Sequence, residues 1–305
     1  MNKVTDELLR LISDYDGSFD GAYNIREDGQ CDSRRSTEHI RIESKITEPG
    51  IDIYISAEAQ NETVFIPACV SHSGVDDLVY NDFHIEAGAN VTIVAGCGVH
   101  NDGHEDSMHN GIHRFFLGKD SYVLYKEKHI GTGDGSGARR INPVTDAYLE
   151  EGAVLEMDTV QLSGVDTTDR KTTATLGARA RFIVRERLMT DDVETAETDF
   201  TVTLDGPDSG VDLVSRSVAR GTSRQHYRST IIGNNRCTGH SECDAILSEQ
   251  GTVTALPALE ANHIDAQLVH EAAIGKIAGE QILKLRTLGL TEEQAEERII
   301  EGFLK

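Results

Sequence analysis

From Ala22 to about Ala255 the chain is a succession of short apolar runs separated by glycine, aspartate and asparagine. HIRIES, GIDIYIS, VFIPACV, NVTIVAG, YVLYKE, VLEMDTV, ARFIVRE, DFTVTL and VDLVSRSV alternate apolar with polar residues or are continuously apolar. Alternation with a period of two marks a strand with one buried face, and no helical period of useful length interrupts it. So long a stretch of strand has to bury many inner faces. That leaves two sheets packed as a sandwich, or a stack of coils.

A weak repeat favours the stack. Glu86-Ala87-Gly88-Ala89, Glu151-Gly152-Ala153 and Leu176-Gly177-Ala178 each precede an apolar strand. Gly88, Gly118, Gly152 and Gly177 are spaced 30, 34 and 25 residues, and the longest interval contains the glycine-rich insert TGDGSGARR. Recurrence every ~20–30 residues, with turns in phase, marks β-coils that cannot bury their inner faces alone and must stack. A sandwich with coincidental Gly-Ala turns is the competing reading. A stack has two open ends that invite end-to-end pairing, so both need covers. At the N-terminus Val4, Leu8, Leu11, Ile12 and Tyr15 fall on one face of a short helix that would serve as one.

The stretch Glu242–Phe303 supplies the other cover and most of the chemistry. Cys243 lies in a strand, a turn-rich connection with Pro257 follows, and an apolar strand ends at His270 and Glu271. Ala273, Ile274, Ile277, Ile282 and Leu285 then recur at three- and four-residue steps, predicting a helix that Gly275 and Gly279 weaken by about 1 kcal/mol each. Gly289 stands where a left-handed cap is wanted. Thr291 and Gln294 form a capping box for a second helix with Ala295, Ile299, Ile300 and Phe303 on its apolar face.

The words Cys243-Asp244, His270-Glu271-Ala272, Glu280-Gln281-Ile282, Leu285-Arg286, Gly289-Leu290-Thr291-Glu292-Glu293-Gln294-Ala295 and Gly302-Phe303 make this segment resemble the C-terminal end of the SufB/SufD family of iron–sulfur cluster assembly scaffolds. Upstream the likeness continues more weakly through Ser215-Arg216. The resemblance implies a mainly β chain folded as a right-handed parallel β-helix. Its parts would be an N-terminal helix over 1–20, a β-helix core over 21–268 and a C-terminal helical segment over 269–305. It also implies a homodimer through the C-terminal part of the β-helix, with one short chain playing both the SufB and the SufD part. The partner would be a SufC-type ABC ATPase docked around Lys276, Gln281, Arg286 and Glu292, and the products would pass to apo iron–sulfur recipient proteins. The bland reading of those four exposed residues is a solvated face.

Composition narrows the function from the other side. The formal net charge is −23. Phosphate binding needs a basic face, so nucleic acid is excluded, and anionic membrane surfaces are disfavoured. No run approaches the ~18 apolar residues of a membrane span. Asp6, Glu7 and Asp14 at the N-terminus do not read as a signal peptide, so a cytoplasmic protein is expected. Five cysteines, an odd and scattered number, are not a disulfide framework. A β-helix enzyme acting on acidic polysaccharide is the remote alternative; it would want a secretion signal and aromatic platforms, and the chain has no tryptophan.

Thiolate is the usual ligand of iron–sulfur clusters, and imidazole and carboxylate also bind iron. Cys243 is therefore the first candidate, with the carboxylates of Glu242 and Asp244 raising its pKa unless a cation offsets them. The resemblance places the family's cluster cysteine at Cys243, with His270 and Glu271 as further ligands of a transient [4Fe-4S] cluster. Val269 departs from the pattern, because SufB carries an acidic residue there. A buried strand cysteine, a core histidine and a helix N-terminal carboxylate are the structural readings of the three. Cys237 and His240 precede Cys243, and Cys237 shares its strand face by parity. His263 with Asp265 precedes the last strand. Cys97, His100, His104, His109 and His113 are dense but fit no closed zinc spacing, and the residues between them read as a loop. Cys31 and Cys69 read as strand residues without a chemical role. Gly131, Gly133, Gly135 and Gly137 lack the Gly-Lys-Ser/Thr ending of a nucleotide cradle, so ATP, if used, is hydrolysed by a partner and the chain itself is not an enzyme. A SufD-like accessory subunit, serving iron entry and complex stability without carrying the cluster, is the alternative function.

Overall fold

A computed structural model describes residues 1–305. Helix α1 (Lys3–Ser13) leads into β1 (Ala22–Glu27), β2 (Gln30–Arg35), β3 (Ile40–Ser44), β4 (Gly50–Ile55), β5 (Gln60–Phe65), β6 (Ala68–Val70) and β7 (Asp76–Ile85). Then come β8 (Asn90–His100), β9 (Ser107–Leu117), β10 (Tyr122–Thr132), β11 (Arg139–Ile141), β12 (Val144–Leu149), β13 (Val154–Gln161), β14 (Thr167–Leu176), β15 (Arg181–Thr190) and β16 (Thr195–Leu204). The chain ends with β17 (Ser209–Ala219), β18 (Arg224–Gly233), β19 (Cys237–Leu247), β20 (Thr252–Ala261), β21 (Ala266–Gly275), α2 (Gly279–Thr287) and α3 (Glu292–Phe303). No helix is long and apolar enough to cross a membrane.

From β7 onward the chain passes alternately to two sheets, β11 and β12 together making one passage of the second, and each strand pairs in parallel with the strand one coil away. The result is a β-solenoid of about 8 turns with 57% of the chain in strands. The stack is therefore the fold, and the sandwich reading falls. The first sheet runs β2-β1-β5-β8-β10-β13-β15-β17-β19-β21 and the second β20-β18-β16-β14-β11-β9-β7-β4-β3. Only the N-terminal end is antiparallel, where β2 folds on β1 and β3 on β4.

The repeat is more regular than its glycines indicate. One turn of each coil holds a residue in the left-handed region, and these are Gly88, Asp120, Gly152, Arg179 and Asp208, spaced 32, 32, 27 and 29 residues. Glycine meets this requirement without strain, but a single Asp or Arg also tolerates it in a firmly held turn. Gly118 and Gly177 are not the left-handed residues of their turns, which is why spacing by glycine alone came out uneven.

Alternate residues of most strands point inward, and the apolar ones form the bulk of a 38-residue cluster in which Phe83 and Phe115 stack at 4.5 Å. Helix α1 lies on the outer face of the first sheet instead of covering the open end. Leu8 and Ile12 sit directly over Gly98 and Gly96, where a Cβ would collide with them. Leu9 is buried as well, whereas Leu11 is 42% exposed, so the apolar face is rotated from the predicted one.

At the C-terminus the prediction shifts in two places. Pro257 is within β20, not in a turn, and is tolerated because β20 is an edge strand. The strand β21 runs on through Ala273 and Ile274 to Gly275, so the helical period read there belongs to a strand, and Gly275 weakens no helix. The capping box on α3 is present: Gln294 N–H donates to Thr291 Oγ1 at 3.2 Å and Thr291 N–H donates to Gln294 Oε1 at 3.0 Å. Gly289 is left-handed as expected.

Candidate functional site

Cys243 lies on the inner face of β19 and is 1% exposed. Its register partners are Ser215 on β17 and Ala272 on β21. His270 also lies on the inward side of its strand, opposite Ser241. Two residues along one strand and one strand over, the Cα atoms of Cys243 and His270 stand about 8 Å apart. His270 is half-buried, and its Nδ1 is buried with no hydrogen-bond partner. The last coil has nothing stacked on it, so both side chains lie next to an uncovered end.

Glu271 follows His270 in an extended strand and so points to the opposite face. Outside the solenoid it joins Glu242 and His240, and the ligand atoms of these three lie within 4.8 Å of one another. His240 Nδ1 is 2.7 Å from Asp212 Oδ1, which turns Nε2 toward Glu271, 4.0 Å away. Burial would push the Asp212 carboxyl up, but His240 and Arg185 hold it below the usual range. The expected thiol–imidazole–carboxylate set is thus divided within one chain. Cys243 and His270 face inward, while Glu271 and His240 face outward.

The remaining candidates spread further. Cys237 shares the inner face with Cys243 but sits six residues along the strand, about 20 Å away, too far for one ion. His263 is in the turn between β20 and β21, at the Cys237 end, where its Nδ1 accepts the Asp265 N–H at 3.1 Å. His109 and His113 lie in strand β9 and face inward, not in a loop as the intervening residues suggested. The glycine-rich insert packs on the preceding coil, Gly135 and Gly137 donating to the carbonyls of Asn101 and Gly103. Gln281 and Arg286 are on α2, Lys276 just before it, and Glu292 begins α3; all four are exposed, and Arg286 pairs with Glu292 at 3.2 Å.

Burial, followed by the charges of Glu186 and Asp244, pushes the Cys243 thiol up to about 12. At neutral pH it is a protonated, shielded thiol. A polar file runs inward from it. Ser215 Oγ donates to Glu186 Oε2 at 2.6 Å, and Arg170 lies between Glu186 and Glu127, donating to the latter at 2.6 Å. The Glu127 carboxyl is held well below its usual range, because Arg170 and His129 outweigh the effect of burial. Sequence reading missed Glu127, Arg170 and Glu186, although counting by two from Phe182 and Val184 puts Glu186 indoors.

A groove of about 940 Å³ lies elsewhere, on the outer face of the second sheet. Its floor is the ladder Tyr54–His84–Phe116–Tyr148, whose ring centroids are 4.9, 5.2 and 5.4 Å apart. Those rings stack on one another and Arg41 lies over Tyr54, so the inner faces of the ladder are already used.

The family model for the SufBD core domain of SUF-system iron–sulfur cluster assembly matches residues 76–303. The chain is 30% identical over 243 residues to an iron–sulfur cluster assembly SufBD family protein of Archaeoglobus fulgidus, covering 79% of this chain and 64% of that protein. A Methanothermobacter thermautotrophicus protein of the same description is 26% identical over 254 residues, covering 82% and 61%. One from Methanocaldococcus jannaschii is 22% identical over 237 residues, covering 77% and 74%. The chain therefore spans about 61–64% of the length of the first two relatives.

Proposed function

From the premise that this chain belongs to the SufBD family of iron–sulfur cluster assembly proteins, we propose that it is a scaffold on which a cluster is built at Cys243. The observation that carries the reading is the pairing of a shielded thiol with an imidazole lacking a partner, one strand from an uncovered solenoid end. Two chains meet through β20 and β21, whose outer edges have no pairing strand. A dimer doubles the ligand set, so that His270 and, after a rotation of the edge strand, Glu271 reach the sulfur of either copy. A SufC-type ABC ATPase docks on α2 and α3, and its ATP-driven closure twists the two scaffold chains and opens the Cys243 pocket. In the opened site the thiol loses its proton, iron and sulfide assemble as a [4Fe-4S] cluster, and the cluster passes to apo recipient proteins in the cytoplasm. The chain itself catalyses no bond change in ATP.

The test is anaerobic reconstitution of the chain with its ATPase. Wild-type protein is expected to hold a cluster with brown absorbance and a Mössbauer doublet, whereas Cys243→Ser folds but holds none. Wild-type cluster stoichiometry in the serine variant refutes the assignment. A second reading, the SufD-like accessory subunit, is favoured by one observation: Glu271 and His240 face away from Cys243. Under that reading the chain retains iron without sulfide when no other scaffold is present.

A further inference from the structure

The interior contains a second group of chemistry-bearing side chains that cluster assembly at Cys243 leaves unused. Cys97 on β8 and His129 on β10 are register partners on the inner face of the first sheet. Across the interior, β9 points His109 and His113 inward with Gly111 between them. None of the four is more than 5% exposed. Cys97 lies against both His109 and His129. His109 Nδ1 is 2.9 Å from Asp77 Oδ2, and Asp77 is held in turn by Arg26 at 2.6 Å. A carboxylate at Nδ1 keeps the proton there and turns the Nε2 lone pair toward the interior.

That Nε2 has no hydrogen-bond partner, nor has His129 Nδ1, while His129 Nε2 stands 3.3 Å from Glu127 Oε1. Buried polar atoms are almost always satisfied, and two orphans beside one thiol require an explanation. Gly111 supplies space beside them: a Cβ there would lie 3.2 Å from Nε2 of His109 and 3.2 Å from Nε2 of His113. His113 Nδ1 is taken by the Tyr125 hydroxyl at 2.7 Å, and its Nε2 faces the Asn81 side-chain amide at 3.4 Å. The two compact ligand groups of the chain lie elsewhere and differ in kind. Asp52 and Asp82 with His84 already hold the Lys45 ammonium at 2.6 and 2.7 Å, and His240 with Glu242 and Glu271 lies on the surface.

We propose that Cys97, His109 and His129, with His113 as fourth ligand once its Nε2 leaves Asn81, bind one borderline divalent transition ion, Zn²⁺ or Fe²⁺, inside the solenoid. One thiolate and three imidazoles suit these ions and disfavour Ca²⁺ or Mg²⁺. Asp77 behind His109 is the supporting carboxylate such sites use. Binding breaks the Cys97 S–H bond, forms an S–metal bond and releases the proton to solvent. The four ligand atoms are spread more widely than the His240 group, and binding draws the rings into the space at Gly111.

The test uses cobalt(II) as the probe, in the full chain carrying Cys31→Ser, Cys237→Ser and Cys243→Ser, so that the outcome does not depend on the cluster reading. One equivalent of cobalt is expected to give thiolate charge-transfer absorption in the near ultraviolet and intense tetrahedral bands in the visible. Adding Cys97→Ser abolishes the charge-transfer band, and His129→Gln lowers cobalt affinity at least tenfold, with circular dichroism confirming the fold. Absence of both bands, or bands unchanged by Cys97→Ser, overturns the proposal. Should the variants misfold, crystals of the unsubstituted chain soaked in zinc decide the matter. An anomalous peak among residues 97, 109 and 129 supports the site, and peaks at the surface alone reject it.

Discussion

At the N-terminal end both sheets turn antiparallel and finish in strands rich in charge, β2 reading QCDSRR and β3 reading IRIES, while α1 seals the outer face nearby. At the C-terminal end β20 and β21 finish the same two sheets with unpaired edges and apolar side chains in the open. Leu256 is 52% exposed, Leu259 39%, Val269 50% and Ile274 39%. Helix α2 buries nothing, and α3 only Ala295 and Ile300. Charged, folded-back edges block further pairing, whereas a bare apolar edge invites it. One coil geometry has thus been closed at one end and left with bare edges at the other. The thiol proposed to build the cluster stands one strand behind the open edge.

The largest expected contrast is in stability. Phe115→Ala removes a fully buried ring and should cost about 3–5 kcal/mol, whereas Leu259→Ala at the open end should stay within about 1 kcal/mol. Guanidinium midpoints measure both, and equal losses would erase the distinction between the packed interior and the open end. Glycines give a sharper comparison. In Gly96→Ala the new methyl meets Ile12 Cβ and carbonyl at 2.6 Å, while at Gly279 nothing lies within 4 Å. The first should cost about 1–3 kcal/mol through overpacking against α1. The second should be neutral or stabilise α2 by up to ~1 kcal/mol. A lysine on the bare edge tests pairing directly. Val269→Lys is expected to weaken self-association at least tenfold by light scattering or sedimentation, and an unaltered dimer would move the interface elsewhere.

The smallest effects come from pH, and acid and alkali should act on different ends. Burial would push the Asp77 carboxyl up, but His109 and Arg26 outweigh it and hold it well below the usual range. Its contribution to stability is therefore complete above about pH 4 and is lost as pH falls below that. The Cys243 thiol is pushed the other way, to about 12, so its contribution is complete below about pH 8.5 and is lost as pH rises toward 12. Hydrogen exchange should show β7 and β9 losing protection first in acid, and β19 and β21 first in alkali. Simultaneous loss would mean that neither group controls its end.

How much was legible in advance depends on the kind of signal. Strand parity in Val211, Leu213, Ser215 and in Phe182, Val184, Glu186 marks inward residues without any coordinates. The capping box on α3 was equally plain, because Thr291 and Gln294 act within four residues. The coil period was blurred because Asp120, Arg179 and Asp208 take the left-handed position that glycine was expected to mark. Ala273 and Ile274 fit a helical period as well as a strand, and only pairing with Asp244 and Ala245 settles which they adopt. His270 and Glu271 read as a pair in sequence, yet extended backbone sends them to opposite faces.

The sequence by itself determined the alternation of inward and outward residues, the stacking of coils and the presence of a thiol beside an imidazole–carboxylate word near the C-terminus. These follow from local geometry, where a period of two and a cap motif need no distant partner. Only the tertiary structure decided that Cys97 meets His109 and His129, that α1 covers a face and not an end, and that Glu271 joins His240 outside. Such meetings are set by register between strands about thirty residues apart, and that register is fixed by the packing of the whole interior, not by any short stretch of chain.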